Sequence, residues 1–113
     1  MFNILSSKKY SMVNTKELAE LLRRAPKNVS FVDVREQDEW DEGHIELFQH
    51  IPLGTLDNHV EELKKCEQVY FLCRSGGRSS QACARLVENG YDNAVNISGG
   101  INSWKDQNLP LEN

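Results

Sequence analysis

Segments typical of strands and segments typical of helices alternate along this chain of 113 residues. Continuous apolar runs, rich in β-branched and aromatic residues, predict strands over residues 29–34, 51–53, 68–72 and 94–97. Apolar residues at helical spacing predict helices over residues 15–25, 36–42, 56–65 and 79–89 and around Trp104. Such alternation predicts an α/β domain with a central, mainly parallel sheet and helices on both faces.

Capping residues mark the starts of several predicted helices. Asn14 and Glu17 stand at the spacing of a capping box at the start of the first helix. The acidic segment 36–42 is predicted as a short helix that buries Trp40 and turns most of its acids toward solvent. Thr55 is the predicted N-cap of the next helix. These signals fit one continuous unit without a linker.

Length and charge restrict the domain organisation and the partners. A chain of 113 residues fits one domain, which we expect over residues 5–112, with residues 1–4 as a flexible N-terminus. The net charge of −4 predicts no broad surface for nucleic acid or an anionic membrane. No apolar run has the length of a membrane span, and the N-terminus lacks the pattern of a signal peptide.

The three cysteines indicate the redox environment. An odd number argues against a fully paired secreted scaffold, so a reducing compartment, the cytoplasm, is expected. Cys83 lies on the apolar side of its predicted helix and is expected in the core. Cys66, at a predicted helix end, would act as a resolving thiol only if it lay near Cys73. The cysteines and histidines show no zinc-ligand spacing, so no metal site is predicted.

Polar residues follow two of the predicted strands. Asp33 and Arg35 lie at the end of the strand 29–34, and a polar, glycine-containing segment follows the strand 68–72. Ligands of parallel sheets bind beyond the carboxyl ends of the strands. The sequence therefore predicts a ligand site at this edge of the sheet.

The segment that begins at Cys73 has the composition of an anion cradle. Gly76 and Gly77 allow a turn that directs backbone N–H groups inward, and the following helix adds its positive end. Arg74 and Arg78 add full positive charges with fork-shaped donors. These features favour the thiolate of Cys73 and an anionic substrate beside it.

These residues resemble those of the rhodanese-like sulfurtransferase family, and the resemblance covers residues 10–111. The strongest motif is the run Cys-Arg-Ser-Gly-Gly-Arg-Ser over residues 73–79. The other matching segments are residues 33–36, 39–40, 43–45, 51–52, 90–91 and 99–101, with Trp104. The resemblance implies a rhodanese-like fold and the activity of a single-domain sulfurtransferase.

The resemblance implies a mechanism through a persulfide on Cys73, the catalytic residue. A small anionic donor such as thiosulfate would give up its sulfane sulfur, and a thiol or protein acceptor would remove it. The implied substrate-binding residues are Arg74, Ser75, Gly76, Gly77 and Arg78. Their backbone N–H groups would hold the persulfide and the leaving oxyanion. No organic cofactor is implied, because the protein itself carries the sulfur.

Asp33 and Arg35 match a paired position of the family, and the resemblance implies a supporting charge pair, with substrate contact by Arg35 as the second interpretation. His44 is expected as a turn residue bonded to backbone. The chain departs from the family at residues 46–50, where Leu47 and Phe48 replace small residues. Either the local packing differs there or these side chains line the rim of the active site.

Two other functions use the same type of loop. Cysteine-based phosphatases and arsenate reductases place five residues between the cysteine and the arginine, whereas four lie between Cys73 and Arg78. The shorter loop suits a sulfur-sized target and is cramped for a tetrahedral phosphate or arsenate. A carrier that passes sulfur between proteins would use the same residues as a sulfurtransferase and remains an alternative.

Overall fold

The computed structural model describes residues 10–113. The flexible N-terminus predicted for residues 1–4, and the predicted start of the domain at residue 5, lie outside the described residues. Among residues 10–113, no helix is long and apolar enough to cross a membrane.

Five parallel strands form the central sheet of the described chain. They are β1 (Ser11–Val13), β2 (Val29–Asp33), β3 (Gln49–His50), β4 (Gln68–Leu72) and β5 (Ala94–Ile97). Their order across the sheet is β1-β5-β4-β2-β3. Because β2 and β4 are neighbours, with Asp33 paired to Leu72, the segments that follow these two strands meet at one edge.

The helices connect the strands. They are α1 (Thr15–Arg24), α2 (Gln37–Glu42), α3 (Val60–Leu63), α4 (Gly77–Glu88) and α5 (Gly100–Asp106), and a 3-10 helix over Leu53–His59 leads into α3. The predicted capping box of α1 is present: the Asn14 side chain accepts from the Glu17 N–H, and the Glu17 carboxylate accepts from the Asn14 N–H, both at 2.8 Å. The predicted α/β architecture is confirmed.

Both faces of the sheet are buried, which explains the continuous apolar runs in the sequence. Successive residues of a strand point to opposite faces. Phe31 and Tyr70 accordingly belong to one apolar cluster with Leu18 of α1, while Val32 and Phe71 belong to another. The helices α1 and α5 cover the first face, and α3 and α4 cover the second.

Two predictions of local structure in residues 51–55 are wrong, and one strand was missed. The third strand occupies Gln49–His50 rather than residues 51–53, because the 3-10 helix already begins at Leu53, although the Ile51 and Leu53 N–H groups still donate to the carbonyls of Asp33 and Val34. Thr55 is not an N-cap: it lies inside the 3-10 helix, where its hydroxyl donates to the Pro52 carbonyl at 2.9 Å. The short strand β1 was not predicted, because its three residues are too few to show a pattern.

The bulky segment that departs from the family pattern changes local packing and does not line the loop at Cys73. Phe48 is buried and packs against Phe31, with ring centroids 5.4 Å apart. Leu47 is 61% exposed and lines a groove of about 300 Å³ together with Trp104. None of residues 73–78 lines this groove.

The start of α5 packs directly on the backbone that follows β4. The Ile101 N–H donates to the Cys73 carbonyl at 2.9 Å, and the Asn102 N–H donates to the Arg74 carbonyl at 3.1 Å. A Cβ atom on Gly100, whose φ is +57°, would lie 2.4 Å from both carbonyl oxygens. A glycine is therefore required for this close approach.

We expect Gly100→Ala to destabilise the protein by about 2–4 kcal/mol, because the methyl group meets backbone atoms and the backbone is left-handed. Denaturant unfolding measures this loss. Gly54→Ala is the control, since nothing lies within 4 Å of its added Cβ. Equal stability of the two variants would contradict the packing argument.

Candidate active site

Cys73 lies at the carboxyl end of β4, directly above the core. It is 1% exposed, and the loop of residues 74–76 joins it to the first turn of α4. The helix begins at Gly77, two residues before the predicted start, and Gly76 is its N-cap with a φ of +122°. The early start lets the first turn of α4 approach the sulfur.

Hydrogen-bond donors surround the sulfur of Cys73. The Gly76 N–H donates to Sγ at 3.1 Å, and the Ser79 Oγ lies 3.3 Å from it. Burial by itself would raise the pKa of Cys73. The hydrogen bonds from the Ser79 hydroxyl and from the N–H groups of Ser79, Gly76 and Ser75 outweigh burial, so the pKa lies below its ordinary value. The site can therefore hold a thiolate.

The two loop arginines meet at a buried carboxylate that the sequence interpretation missed. Arg78 donates to both oxygens of Glu39, at 2.7 and 2.9 Å, and Arg74 reaches Oε2 with its Nη2 at 3.2 Å. Glu39 is 8% exposed, although the acids of its helix were predicted to face solvent. The side chain of Arg74 is 61% exposed and that of Arg78 is 30% exposed, so both can also face a ligand at the rim.

Charge and hydrogen bonding keep Glu39 ionised. The bidentate bond from Arg78 is the main cause, and it lowers the pKa of Glu39 to about 2 against the opposing effect of burial. The N–H of Glu36 donates to the same carboxylate at 2.8 Å. The loop therefore presents two cations and one fixed anion, with a positive balance.

Asp33 and Arg35 form a buried ion pair behind this arrangement. The Arg35 Nη2 lies 2.8 Å from the Asp33 Oδ2, and both side chains are almost fully buried. The remaining donors of Arg35 bond the carbonyl oxygens of Glu39 and Gly43, at 3.1 and 2.8 Å. Arg35 thus anchors the backbone of the residue whose carboxylate holds the loop arginines.

A second group missed by the sequence interpretation lies beneath the sulfur. Ser79 is fully buried, and its hydroxyl donates to Oδ1 of Asn96, which is 4% exposed on β5. Asn96 also donates from Nδ2 to the Gly76 carbonyl at 3.4 Å. A polar residue within an apolar strand was the available signal, because buried amides need partners.

The aromatic and histidine side chains of this edge make structural contacts. Trp40 is only partly buried, so the residue that α2 buries is Glu39 rather than Trp40 as predicted. The Trp40 ring stacks between those of His44 and His50, with centroid distances of 3.7 and 4.8 Å. His44 bonds the Trp40 carbonyl at 3.1 Å and His50 bonds the Arg35 carbonyl at 2.7 Å. These rings stabilise the segment around α2.

The other two cysteines lie away from the loop. Cys66 precedes β4 and Cys73 follows it, so β4 separates them, and the Cys66 sulfur contacts the Ser30 hydroxyl at 3.2 Å. Cys83 is fully buried in the core, and burial raises its pKa to about 12. Within residues 10–113, no group of three or more metal-ligating side chains is placed to hold an ion.

The family model described as Rhodanese-like domain matches residues 14–107 of this chain. The chain is 35% identical over 102 residues to a sulfurtransferase of Allochromatium vinosum, covering 88% of this chain and 95% of that protein. It is 29% identical over 96 residues to the thiosulfate sulfurtransferase GlpE of Coxiella burnetii, covering 85% and 88%. Some relatives are longer, and the chain spans 42% of one protein of Bacillus subtilis.

The fold is also found in solved structures. The crystal structure of a rhodanese-like domain protein from Staphylococcus aureus superposes with a TM-score of 0.78 at 34% identity. The alignment covers 91% of this chain and 99% of that chain. The match extends over the sheet and the helices that position Cys73.

We expect Glu39→Gln to lower the free energy of unfolding by about 3 kcal/mol at neutral pH, because it removes the charge that Arg78 binds. The pKa of Glu39 is lowered to about 2 in the folded state, from an ordinary value of 4.5. The ionised Glu39 therefore contributes its full amount to the free energy of unfolding above pH 4.5, and this contribution is lost as the pH falls toward 2.

Denaturant unfolding of both proteins across this pH range tests the expectation, and the stability difference should narrow on acidification. Glu42→Gln, at an exposed acid of the same helix, is the control and should change stability little. A difference between wild type and Glu39→Gln that stays constant with pH would contradict the assignment.

Proposed function

Since this chain belongs to the rhodanese-like domain family, we propose that it is a sulfurtransferase that carries sulfane sulfur as a persulfide on Cys73. The observation that carries the proposal is the buried Cys73 sulfur inside a ring of N–H and O–H donors. A thiolate is the reactive form of cysteine, and this environment favours it.

The first half-reaction forms the persulfide. The Cys73 thiolate uses a lone pair to form a bond to the sulfane sulfur of thiosulfate. The sulfur–sulfur bond of thiosulfate breaks, and sulfite leaves with the bonding electron pair. The negative charge then lies on the outer sulfur of the persulfide, near the loop N–H groups. Because sulfite leaves as a stable anion, the step needs no proton donor.

The second half-reaction transfers the sulfur. A thiolate on an acceptor, either a small thiol or a protein, attacks the outer sulfur, and the electron pair of the broken bond returns to Cys73. Arg74, Ser75 and Gly77 are exposed at the rim of the loop. An exposed rim is accessible to a protein acceptor as well as to a small thiol. The cycle leaves Cys73 a thiolate, for which a reducing, cytoplasmic location is suited.

Arg74 and Arg78 are proposed to bind the anionic donor. Glu39 neutralises one of the two charges and holds both side chains beside the loop. An arriving dianion would share these donors with Glu39. The phosphatase and arsenate reductase alternative is less well supported, since four residues between Cys73 and Arg78 make a small ring. The relatives named above are sulfurtransferases.

Incubation with thiosulfate should add the mass of one sulfur atom to the intact protein. The added mass should be absent from Cys73→Ser. It should be retained in Cys66→Ser, because Cys66 lies at the other end of β4. Intact mass spectrometry measures it. If no sulfane donor adds this mass while aryl phosphate is hydrolysed, the phosphatase alternative replaces the proposal.

Arg78→Ala is expected to raise the KM for thiosulfate about 10-fold, because a charge-assisted contact to the donor is lost. Steady-state transfer from thiosulfate to cyanide measures this. Arg85→Ala is the matched control, since Arg85 lies on the same helix and pairs with Asp57 at 3.2 Å.

Glu39→Gln separates donor binding from anchoring, because it removes the same ion pair but keeps Arg78. Donor binding predicts a larger rise in the KM for thiosulfate in Arg78→Ala than in Glu39→Gln. Equal loss of turnover in Arg78→Ala and Glu39→Gln, with an unchanged KM, would show that Arg78 only anchors the loop.

A further inference from the structure

One buried hydroxyl proton lies between two competing acceptors beneath the candidate nucleophile. The Ser79 Oγ is 2.5 Å from the Asn96 Oδ1 and 3.3 Å from the Cys73 Sγ. The Gly76 carbonyl is a third neighbour at 3.2 Å, but it already accepts from the Ser80 N–H at 3.1 Å. A serine hydroxyl carries one proton, so it can donate to only one of these acceptors at a time.

The sheet places Asn96, on β5, for this contact. Its neighbours Val95 and Ile97 point to the face covered by α1 and α5, while Asn96 points toward α4. A buried amide in an apolar strand is costly unless its groups are bonded. Both of its polar groups are bonded, to Ser79 and to the Gly76 carbonyl.

We propose that Asn96 is a positioning residue that competes with the Cys73 thiolate for the single hydroxyl proton of Ser79, and that Ser79 is a catalytic residue. In the thiol form, the Cys73 S–H donates to Ser79 Oγ, and the Ser79 O–H donates to Asn96. When the thiol proton leaves to solvent, the Ser79 hydroxyl turns and donates to Sγ. The competition weakens the bond that the thiolate receives.

The competition favours the forward reaction. Once the sulfane sulfur is bound, Sγ is a neutral, divalent atom and the negative charge lies on the outer sulfur. The Ser79 hydroxyl then donates its hydrogen bond to Asn96 Oδ1 again. Asn96 therefore stabilises the thiol and the persulfide relative to the thiolate. A thiolate with fewer donors is also a better nucleophile, since nucleophilicity rises with pKa.

The charged groups around the sulfur do not account for this effect. Arg78 and Arg74 are paired with Glu39 at the rim. Asp33 and Arg35 are paired with each other behind it. Ser79 comes from α4 and Asn96 from β5, and both side chains are uncharged, so these charges stay the same when either residue is replaced.

The ultraviolet absorbance of the thiolate as a function of pH tests the proposal, with the Cys73→Ser titration subtracted. Ser79→Ala should raise the midpoint of Cys73 by about one pH unit, and Ser79→Thr, which keeps the hydroxyl, should restore it. Asn96→Val should lower the midpoint by about half a pH unit, because the hydroxyl is released to the thiolate. Valine suits the buried strand.

The double variant Ser79→Ala/Asn96→Val should titrate as Ser79→Ala does, because the proposed competition needs the Ser79 hydroxyl. An unchanged or raised midpoint in Asn96→Val would overturn the proposal, as would an effect of Asn96→Val that persists without Ser79. If Asn96→Val does not fold, Asn96→Ala replaces it with the same expected direction.

The proposal rests on the proposed function only in taking Cys73 as the nucleophile, and the titration needs no sulfur donor. Failure of the proposed function would appear as a missing persulfide mass with the expected midpoints. Failure of the present inference would appear as a persulfide mass with midpoints that do not respond to Asn96. In Asn96→Val, the persulfide should also form up to about twofold more slowly at a pH where Cys73 is fully ionised, because nucleophilicity falls with the pKa of the thiol.

Discussion

The site depends on one constraint of backbone hydrogen bonding. N–H groups can converge on the sulfur of Cys73 only if the carbonyl oxygens of the same loop point elsewhere and find donors there. The start of α5 supplies these donors to Cys73 and Arg74, while Asn96 and the N–H of Ser80 supply them to Gly76. The loop at Cys73 is therefore built jointly by β4, α4, α5 and β5, although its sequence motif spans only residues 73–79.

Charge is arranged in a second layer around this loop. The protein is acidic overall, with a net charge of −4, yet the rim at Cys73 is positive because Arg74 and Arg78 outnumber Glu39. Arg35 connects this layer to the core through the carbonyl of Glu39. The buried carboxylate of Glu39 thus orders the side chains of Arg74 and Arg78. Its negative charge cancels one of their two positive charges.

The helices and strands that the sequence predicts correctly are those whose signal comes from neighbouring residues along the chain. Apolar periodicity depends on neighbours along the chain, so the four longer helices and the strands β2, β4 and β5 were predicted within a few residues. The predictions failed where the signal was short or shared with another element. The strand β1 has three residues, and the strand predicted over residues 51–53 runs into a 3-10 helix that begins at Leu53. Glu39 resembled a solvated acid because its partners lie more than 30 residues away.

The sequence by itself determined the parallel α/β class and pointed to the end of β4 as the candidate site, with Cys73 as the candidate nucleophile, because these depend on local patterns and on one contiguous motif. Only the tertiary structure decided which groups surround that cysteine. Glu39 comes from the segment after β2, Asn96 comes from β5, and the N–H groups that donate to the loop carbonyls come from α5. They meet because parallel strands bring their carboxyl ends to one edge, whatever their separation along the chain.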